Sequence, residues 1–300
     1  MKRPKSLRIL IQELLQNSAR ALSIDEIIQE LKKNYSLYKT KAQIRNALNY
    51  YDCKNILLVG REIYDLLPRV INGSYYRHTL TEQEISKGAL SCDYEMHFIF
   101  DPYMKEASRK LKFSQDGNPI AESGILFCGP MALPRRQIRG FDNWFRTQDL
   151  TPDDDLIIKI IDIESGIYEI TPQRKKSRDE ILIEKKNKEI ADLAEKIIER
   201  INTKGAWPED ITKRIMSMYS YKDKCPPDQI TRIAEKDKRF FMYTEKMDEE
   251  PCGHFKEIYL ADKVVKSRYG APAPKNWVEF SEDDSAAIAE LLKTAKKGNA

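Results

Sequence analysis

The sequence predicts an α+β chain of two or three domains, helical toward both ends and strand-rich in the middle. Three observations lead there. Apolar residues recur at helical spacing near the N-terminus, the pattern changes to short strand-like runs over residues 93–171, and helical spacing returns from residue 184. With 41% hydrophobic and 33% charged side chains among 300 residues, the apolar share is ample for real cores, which excludes wholesale disorder.

Residues 1–70 begin with Leu7, Leu10, Ile11, Leu14 and Leu15, one face of a first helix. Ser23-Ile24-Asp25-Glu26 is a capping box, in which Ser23 and Glu26 satisfy each other's backbone donors. It opens a second helix with Ile24, Ile27, Ile28 and Leu31 inward. A third helix from Thr40 buries Ile44, Ala47, Leu48 and Tyr51, and residues 55–59 and 62–66 around Gly60-Arg61 read as a hairpin. Three helices and a hairpin are the layout of a winged helix-turn-helix.

Residues 5–67 resemble the HARE-HTH family, winged helices found in the delta subunit of bacterial RNA polymerase and in chromatin and DNA-modification proteins. The matching features are the opening helix at 6–16, Leu22-Ser23-Ile24-Asp25-Glu26-Ile27, the run from Lys41 to Leu48, and Arg61-Glu62-Ile63-Tyr64-Asp65-Leu66. The resemblance covers about a fifth of the chain and implies a DNA-binding winged helix.

Residues 93–171 carry an alternating run at 95–100, a turn at Asp116-Gly117-Asn118-Pro119, an apolar run at 124–128 and a hairpin from residue 153 to 170 around Ser165-Gly166. Short strands with regular turns predict a small barrel or curved sheet. Residues 150–160 are similar to the turn, acidic residue and strand of pseudo-barrel DNA-binding domains, families that include AbrB-like regulators and plant transcription factors. Residues 184–265 repeat the helix-helix-helix-strand-strand order, a second winged-helix-like domain with an acidic wing at residues 246–250. Residues 266–300 form a Pro-rich tail and a short polar helix, with Trp277 and Phe280 docking on the body.

Charge directs attention to two places. The net charge is only +4, but residues 1–70 hold 13 Lys/Arg against 7 Asp/Glu and residues 134–147 hold four Arg against one Asp. On the third helix, the inward stripe leaves Lys41, Gln43, Arg45, Asn46, Asn49 and Tyr50 outward. Arg reads guanine, and Asn or Gln reads adenine, through paired hydrogen bonds in the major groove. Lys39 and Thr40 stand at the helix N-terminus for phosphate, and Arg61 is the wing contact. Arg135, Arg136, Arg139 and Arg146 are further phosphate contacts, while Phe141, Trp144 and Phe145 have the spacing of core residues. The second third helix presents a mixed set, Gln229, Thr231, Arg232, Glu235 and Lys236, suited to protein contact or a structural role.

Chemistry beyond binding finds little support. The three histidines adjoin no nucleophile pattern and no glycine-rich phosphate loop occurs, so neither a cofactor nor catalysis is expected. Cys225, Cys252 and His254 match no zinc spacing, and Asp153-Asp154-Asp155 reads as a polar turn before a buried strand. Asp162 with Glu184-x-Lys186 fits a loose restriction-type nuclease pattern, but helical spacing around it would turn Glu184 and Lys186 apart. The expected partner is nucleic acid, double-stranded DNA, with a protein partner available to the C-terminal domain. The alternative is an adaptor docking on a polymerase or nuclease. The opening Met-Lys-Arg-Pro-Lys runs straight into the first helix and no stretch suits a bilayer, so a cytoplasmic address is expected.

Overall fold

The computed structural model describes residues 5–49, 55–92, 95–100, 110–128, 135–201, 206–219, 221–245, 255–261, 264–266 and 272–274. Local sequence explains how the N-terminal helices begin. The Ser6 hydroxyl accepts from the Ile9 amide at the head of α1 (Leu7–Asn17). For α2 (Ile24–Tyr35), the Ser23 amide donates to Glu26 Oε2 at 2.7 Å and the Glu26 amide to Ser23 Oγ at 3.3 Å. Then follow α3 (Lys41–Asn49) and a three-stranded antiparallel sheet of β1 (Leu22–Ser23), β2 (Ile56–Gly60) and β3 (Ile63–Leu66) in the order β1-β3-β2. Ile11, Leu15, Ile27, Leu31 and Ile44 are fully buried at its centre. Each contributes roughly 1.5–3 kcal/mol, against about 0–1 for an exposed ion pair. Stability of this unit therefore rests on its inner face, and its outer polar residues are not needed to hold it together.

A second, larger core is built on a curled seven-stranded sheet. Its strands are β4 (Tyr75–Thr79), β5 (Ala89–Ser91), β6 (Lys110–Gln115), β7 (Asn118–Cys128), β8 (Arg135–Arg139), β9 (Asp155–Asp162) and β10 (Ile167–Gln173). The order is β4-β9-β10-β6-β7-β8-β5, antiparallel throughout except for the β10–β6 pair. Asp116 and Gly117, both at positive φ, make the two-residue turn between β6 and β7 that matches the twist of the strands. Helices α4 (Leu67–Ile71), α5 (Glu82–Lys87), α6 (Glu95–Phe100) and α7 (Asp142–Thr147) surround the sheet. Gly88 ends α5 in the left-handed region, and a Cβ there would collide with the Asp142 carboxylate of α7. Residues 95–100, expected as a strand, are helix α6. All six are buried, and a run without an exposed side carries no period that separates strand from helix.

The chain continues through a 3-10 turn at Lys175–Ser177 into α8 (Glu180–Ile201), α9 (Pro208–Met218), α10 (Ile230–Lys236), β11 (Phe240–Glu245) and β12 (Phe255–Leu260). Pro208 stands in the first turn of α9, where its missing N–H is no loss. Ala206, ahead of α9, pairs with Ile258 of β12, as β1 ahead of α2 pairs with β3. The two ends of the chain thus share one connectivity. Ile190, Ala194, Ile211, Ile215 and Ile233 join Phe113, Ile158 and Tyr168 in one buried cluster, so these helices share the core of the sheet. The acidic segment at 246–250, Trp277 and Phe280 lie outside the described residues. Among the described residues no helix is long and apolar enough to cross a membrane.

The joint between sheet and C-terminal helices is ionic and buried. Asp155, fully buried at the start of β9, bonds the guanidinium of Arg77 on β4, also fully buried, and accepts from Arg178 Nη1 at 3.0 Å and from Thr79 Oγ1 at 2.6 Å. Arg178 Nη2 donates to Asp228 Oδ1 at 2.7 Å, and the Asn187 side-chain amide of α8 donates to Asp228 Oδ2 at 3.0 Å. Arg77 Nε also donates to the Pro226 carbonyl at 3.1 Å. Burial alone would raise the pKa of Asp228, but Arg178, Asn187 and Arg77 outweigh it and hold the carboxyl below its ordinary 3.8.

Two outcomes follow for stability. Asp155→Ala takes away the carboxylate that two buried guanidinium groups share and leaves Asp228 to face both; it should cost about 3–5 kcal/mol in urea unfolding at neutral pH. Because the folded pKa of Asp228 is depressed, its contribution is present above the ordinary value and is lost as pH falls through the folded one. Asp228→Asn should therefore be less stable than wild type near neutral pH and show a shallower loss of stability on acidification below about pH 4.

Candidate nucleic-acid interface

Helix α3 turns Ile44 and Leu48 into the N-terminal core, with Ala47 half-buried beside them, and leaves Lys41, Ala42, Gln43, Arg45 and Asn46 exposed. Its start is capped reciprocally: the Thr40 amide donates to Gln43 Oε1 at 3.1 Å and the Gln43 amide to Thr40 Oγ1 at 3.3 Å. Thr40 and Gln43, expected as DNA contacts, thus also hold the helix terminus. Lys39 is half-exposed just ahead of them, following Tyr38, whose ring lies 5.3 Å below Lys32 Nζ. The side chains of Asn49 and Tyr50 lie outside the described residues, as does Tyr51.

Two carboxylates shape this face that the residue pattern of the helix does not announce. Asp25, in the first turn of α2, accepts from Lys41 Nζ at 2.7 Å. Glu62, at positive φ in the β2–β3 turn, accepts from Arg45 Nε at 2.8 Å and stands 3.9 Å from Lys41. Arg61 beside it is exposed and makes no ion pair among the described residues. Lys39, Lys41, Arg45 and Arg61 against Asp25 and Glu62 leave the surface cationic. The pairs tie α3 to α2 and to the hairpin, holding the outward cations in place, and at nearly half exposure they are cheaply exchanged for another anion.

On the sheet, Arg136 is half-exposed and Arg139 exposed on β8, while the Arg135 side chain lies outside the described residues. Arg146, exposed on α7, donates from Nε to the Asp142 carbonyl at 3.3 Å. Phe141 and Phe145 are buried and stacked with centroids 5.5 Å apart, and Trp144 Nε1 donates to Gln115 Oε1 at 2.9 Å. The aromatic residues between the arginines therefore build the core, as their spacing suggests. Exposed Lys110 and Lys112 on β6, two strands from Arg139, were not singled out by sequence. Only the strand order brings them near, Lys110 standing opposite Gly124 of β7, with Glu122 3.7 Å from its Nζ.

The third helix of the C-terminal repeat is arranged differently. Its N-terminal amides, those of Ile230 and Thr231, donate to the buried Glu95 carboxylate of α6 at 3.1 and 3.0 Å. Thr231, expected outward, is buried, and Gln229 and Arg232 are only partly exposed, leaving Glu235 and Lys236 in solvent. A long-range partner occupies this helix start, which no local pattern can reveal. The acidic triplet divides among four cations: Asp153 accepts from Lys175 at 2.9 Å, Asp154 from Arg174 at 2.8 Å, and Asp155 from Arg77 and Arg178. Glu184 is exposed on α8, whereas Lys186 is buried and donates to Asp223 at 2.7 Å and to the Cys225 carbonyl at 2.6 Å. The two do not converge. Cys252 and His254 lie outside the described residues.

No family model matches the chain, and no curated protein matches it. Among solved structures, the chain is similar to the Arabidopsis FUS3-DNA complex, at 11% identity over 33% of this chain and 95% of that one, with a TM-score of 0.28. A likeness at that score carries no inference about fold or function.

The capping geometry generates one outcome independent of any ligand. Thr40→Ala should lower the stability of the free protein by about 1 kcal/mol, read by urea denaturation. Lys39→Ala, at a position with no cap bond, should leave it unchanged.

Proposed function

We propose that the chain is a non-enzymatic, multidomain DNA-binding protein whose residues 5–67 act as a winged helix-turn-helix of the HARE-HTH kind on double-stranded DNA. The observation that carries this reading is the outer face of α3: exposed, cationic and amide-bearing, over an inner face that is buried. A helix of this kind fits the major groove, where Arg45 offers a fork to guanine and Asn46 or Gln43 a donor–acceptor pair to adenine. Lys39, Lys41 and, on the turn, Arg61 meet phosphates on either side. Arg136, Arg139 and Arg146 of the sheet domain add backbone contacts, and several modest contacts on one chain raise effective concentration.

Binding in this scheme is an exchange. Phosphate oxygens replace Asp25 and Glu62 as partners of Lys41 and Arg45, and released counterions supply the driving force. The C-terminal repeat, with its third helix docked on Glu95, serves as structure or protein contact in this reading. The adaptor reading is kept for the exposed apolar residues Ile181 and Trp207, which DNA binding leaves without a role.

A titration of fluorescent duplex DNA at several salt concentrations decides between them. Lys41→Gln with Arg45→Gln should weaken binding and reduce the slope of log K against log salt by about 2. Glu62→Gln, which frees Arg45 and leaves Lys41 with Asp25 alone, should strengthen binding to duplexes of any sequence. Flat salt dependence, or affinities indifferent to both changes, would refute the DNA reading. Cleavage of the duplex on adding Mg²⁺ would instead support a nuclease, and its loss in Glu184→Ala would place the activity.

A further inference from the structure

The hairpin of the N-terminal unit does not stand free. Ile56 of β2 lies in the N-terminal core, but the next residue, Leu57, is buried in the core of the sheet domain, and Val59 packs there with it. Successive strand residues face opposite ways, so β2 joins the two cores through its two faces. As the edge strand of its small sheet it also meets α9 of the C-terminal repeat, where Ser217 Oγ donates to the Leu58 carbonyl at 2.9 Å.

Two contacts fix the direction of α9. Its residue Ser217 lies at Leu58, three positions ahead of Arg61 in the β2–β3 turn. Just past the helix, Lys222 Nζ donates to the Val70 carbonyl at 3.1 Å and to the Asn72 carbonyl, at the far end of α4. Helix α4 leaves the hairpin at the end away from the turn, where the Leu67 amide donates to the Asn55 carbonyl at 2.8 Å. Helix α9 therefore runs from the turn side of the hairpin toward α4. Arg214 stands about 4.5 Å nearer the turn than Ser217, and Arg61 about 10 Å beyond Leu58. Along the hairpin the two arginines are thus about 5 Å apart.

Both arginines are exposed, and neither makes an ion pair among the described residues. Leu58 and Met218, the latter one turn after Arg214, are each 46% exposed. The carboxylates of α9 one turn before Arg214, Glu209 and Asp210, are half-buried, and Glu209 Oε2 lies 3.4 Å from His97 Nδ1. Glu62, beside Arg61, accepts from Arg45. Two guanidinium groups next to exposed apolar carbons suit a polyanion that also carries apolar surface, as a sugar-phosphate chain does.

We propose that α9 extends the DNA-binding face, Arg214 and Arg61 taking phosphates of one strand and Leu58 and Met218 lying against its sugars. This rests on the reading of α3 as the groove-contacting helix. It gives the C-terminal repeat a share in binding through its second helix that its third, docked on Glu95, lacks. Each strand of a duplex carries a phosphate for about every 3.4 Å of helix axis, a spacing that two long side chains about 5 Å apart along the hairpin can follow. Burial of Leu57 in the sheet core keeps the two arginines in this relation.

The test is titration of the full chain with fluorescent duplex DNA over a range of salt. Arg214→Gln should reduce the slope of log K against log salt by about 1 and weaken binding about 5–10-fold at about 0.1 M salt, the effect of one phosphate contact. The loss should be the same for duplexes of any sequence. Arg214→Lys should keep the slope, and both variants should unfold at the wild-type temperature, since the side chain is exposed. Wild-type affinity and slope in Arg214→Gln, beside weakened binding in Lys41→Gln with Arg45→Gln, would overturn the α9 contact and leave the α3 reading standing. A loss in Arg214→Gln that varies with duplex sequence would overturn it too. Indifference to all of these changes would remove both.

Discussion

Asp155 receives guanidinium groups from Arg77 on β4 and from Arg178 ahead of α8, and Arg178 passes the connection on to Asp228 ahead of α10. In water these would be ordinary ion pairs of small consequence. Out of water, none of the groups can lose its partner without leaving a charge that solvent no longer stabilises. The arrangement accordingly fixes where the C-terminal helices sit on the sheet, and the hydrophobic cluster shared by α8–α10 and the strands closes around it.

That placement separates the roles of the two repeats. Docking α10 on the sheet brings its first amides to Glu95 and buries Thr231, so its start is a structural joint. The N-terminal unit keeps its own core, and among the described residues the charged partners of the outer face of α3 are Asp25 and Glu62. Two units of like connectivity thus differ in what their third helix is free to touch.

Much of this architecture was legible in the residues. The capping box at Ser23–Glu26, the 3.6-residue stripes of α1, α2 and α3, the Asp116-Gly117 turn and Pro208 at the head of α9 each act over a few positions, where local stereochemistry decides the outcome. The outward set on α3 followed by subtraction once Ile44 and Leu48 were placed inside. Residues 95–100 form a helix where alternation suggests a strand, because a wholly buried helix and a buried strand look alike in hydropathy. Asp25 stands inside the capping-box stretch and Glu62 at the start of the second hairpin run, yet their effect on Lys41 and Arg45 depends on how α2 and the hairpin approach α3.

Sequence alone therefore determined the helical ends, the strand-rich centre, the repeated order of elements and the basic outer face of α3, because each follows from interactions within one turn or one hairpin. Tertiary structure alone decided that Arg77, Asp155, Arg178 and Asp228 meet and that Glu95 occupies the start of α10. These groups lie far apart in sequence. Their pairing is set by chain packing, which brings charges together only where burial makes each partner indispensable.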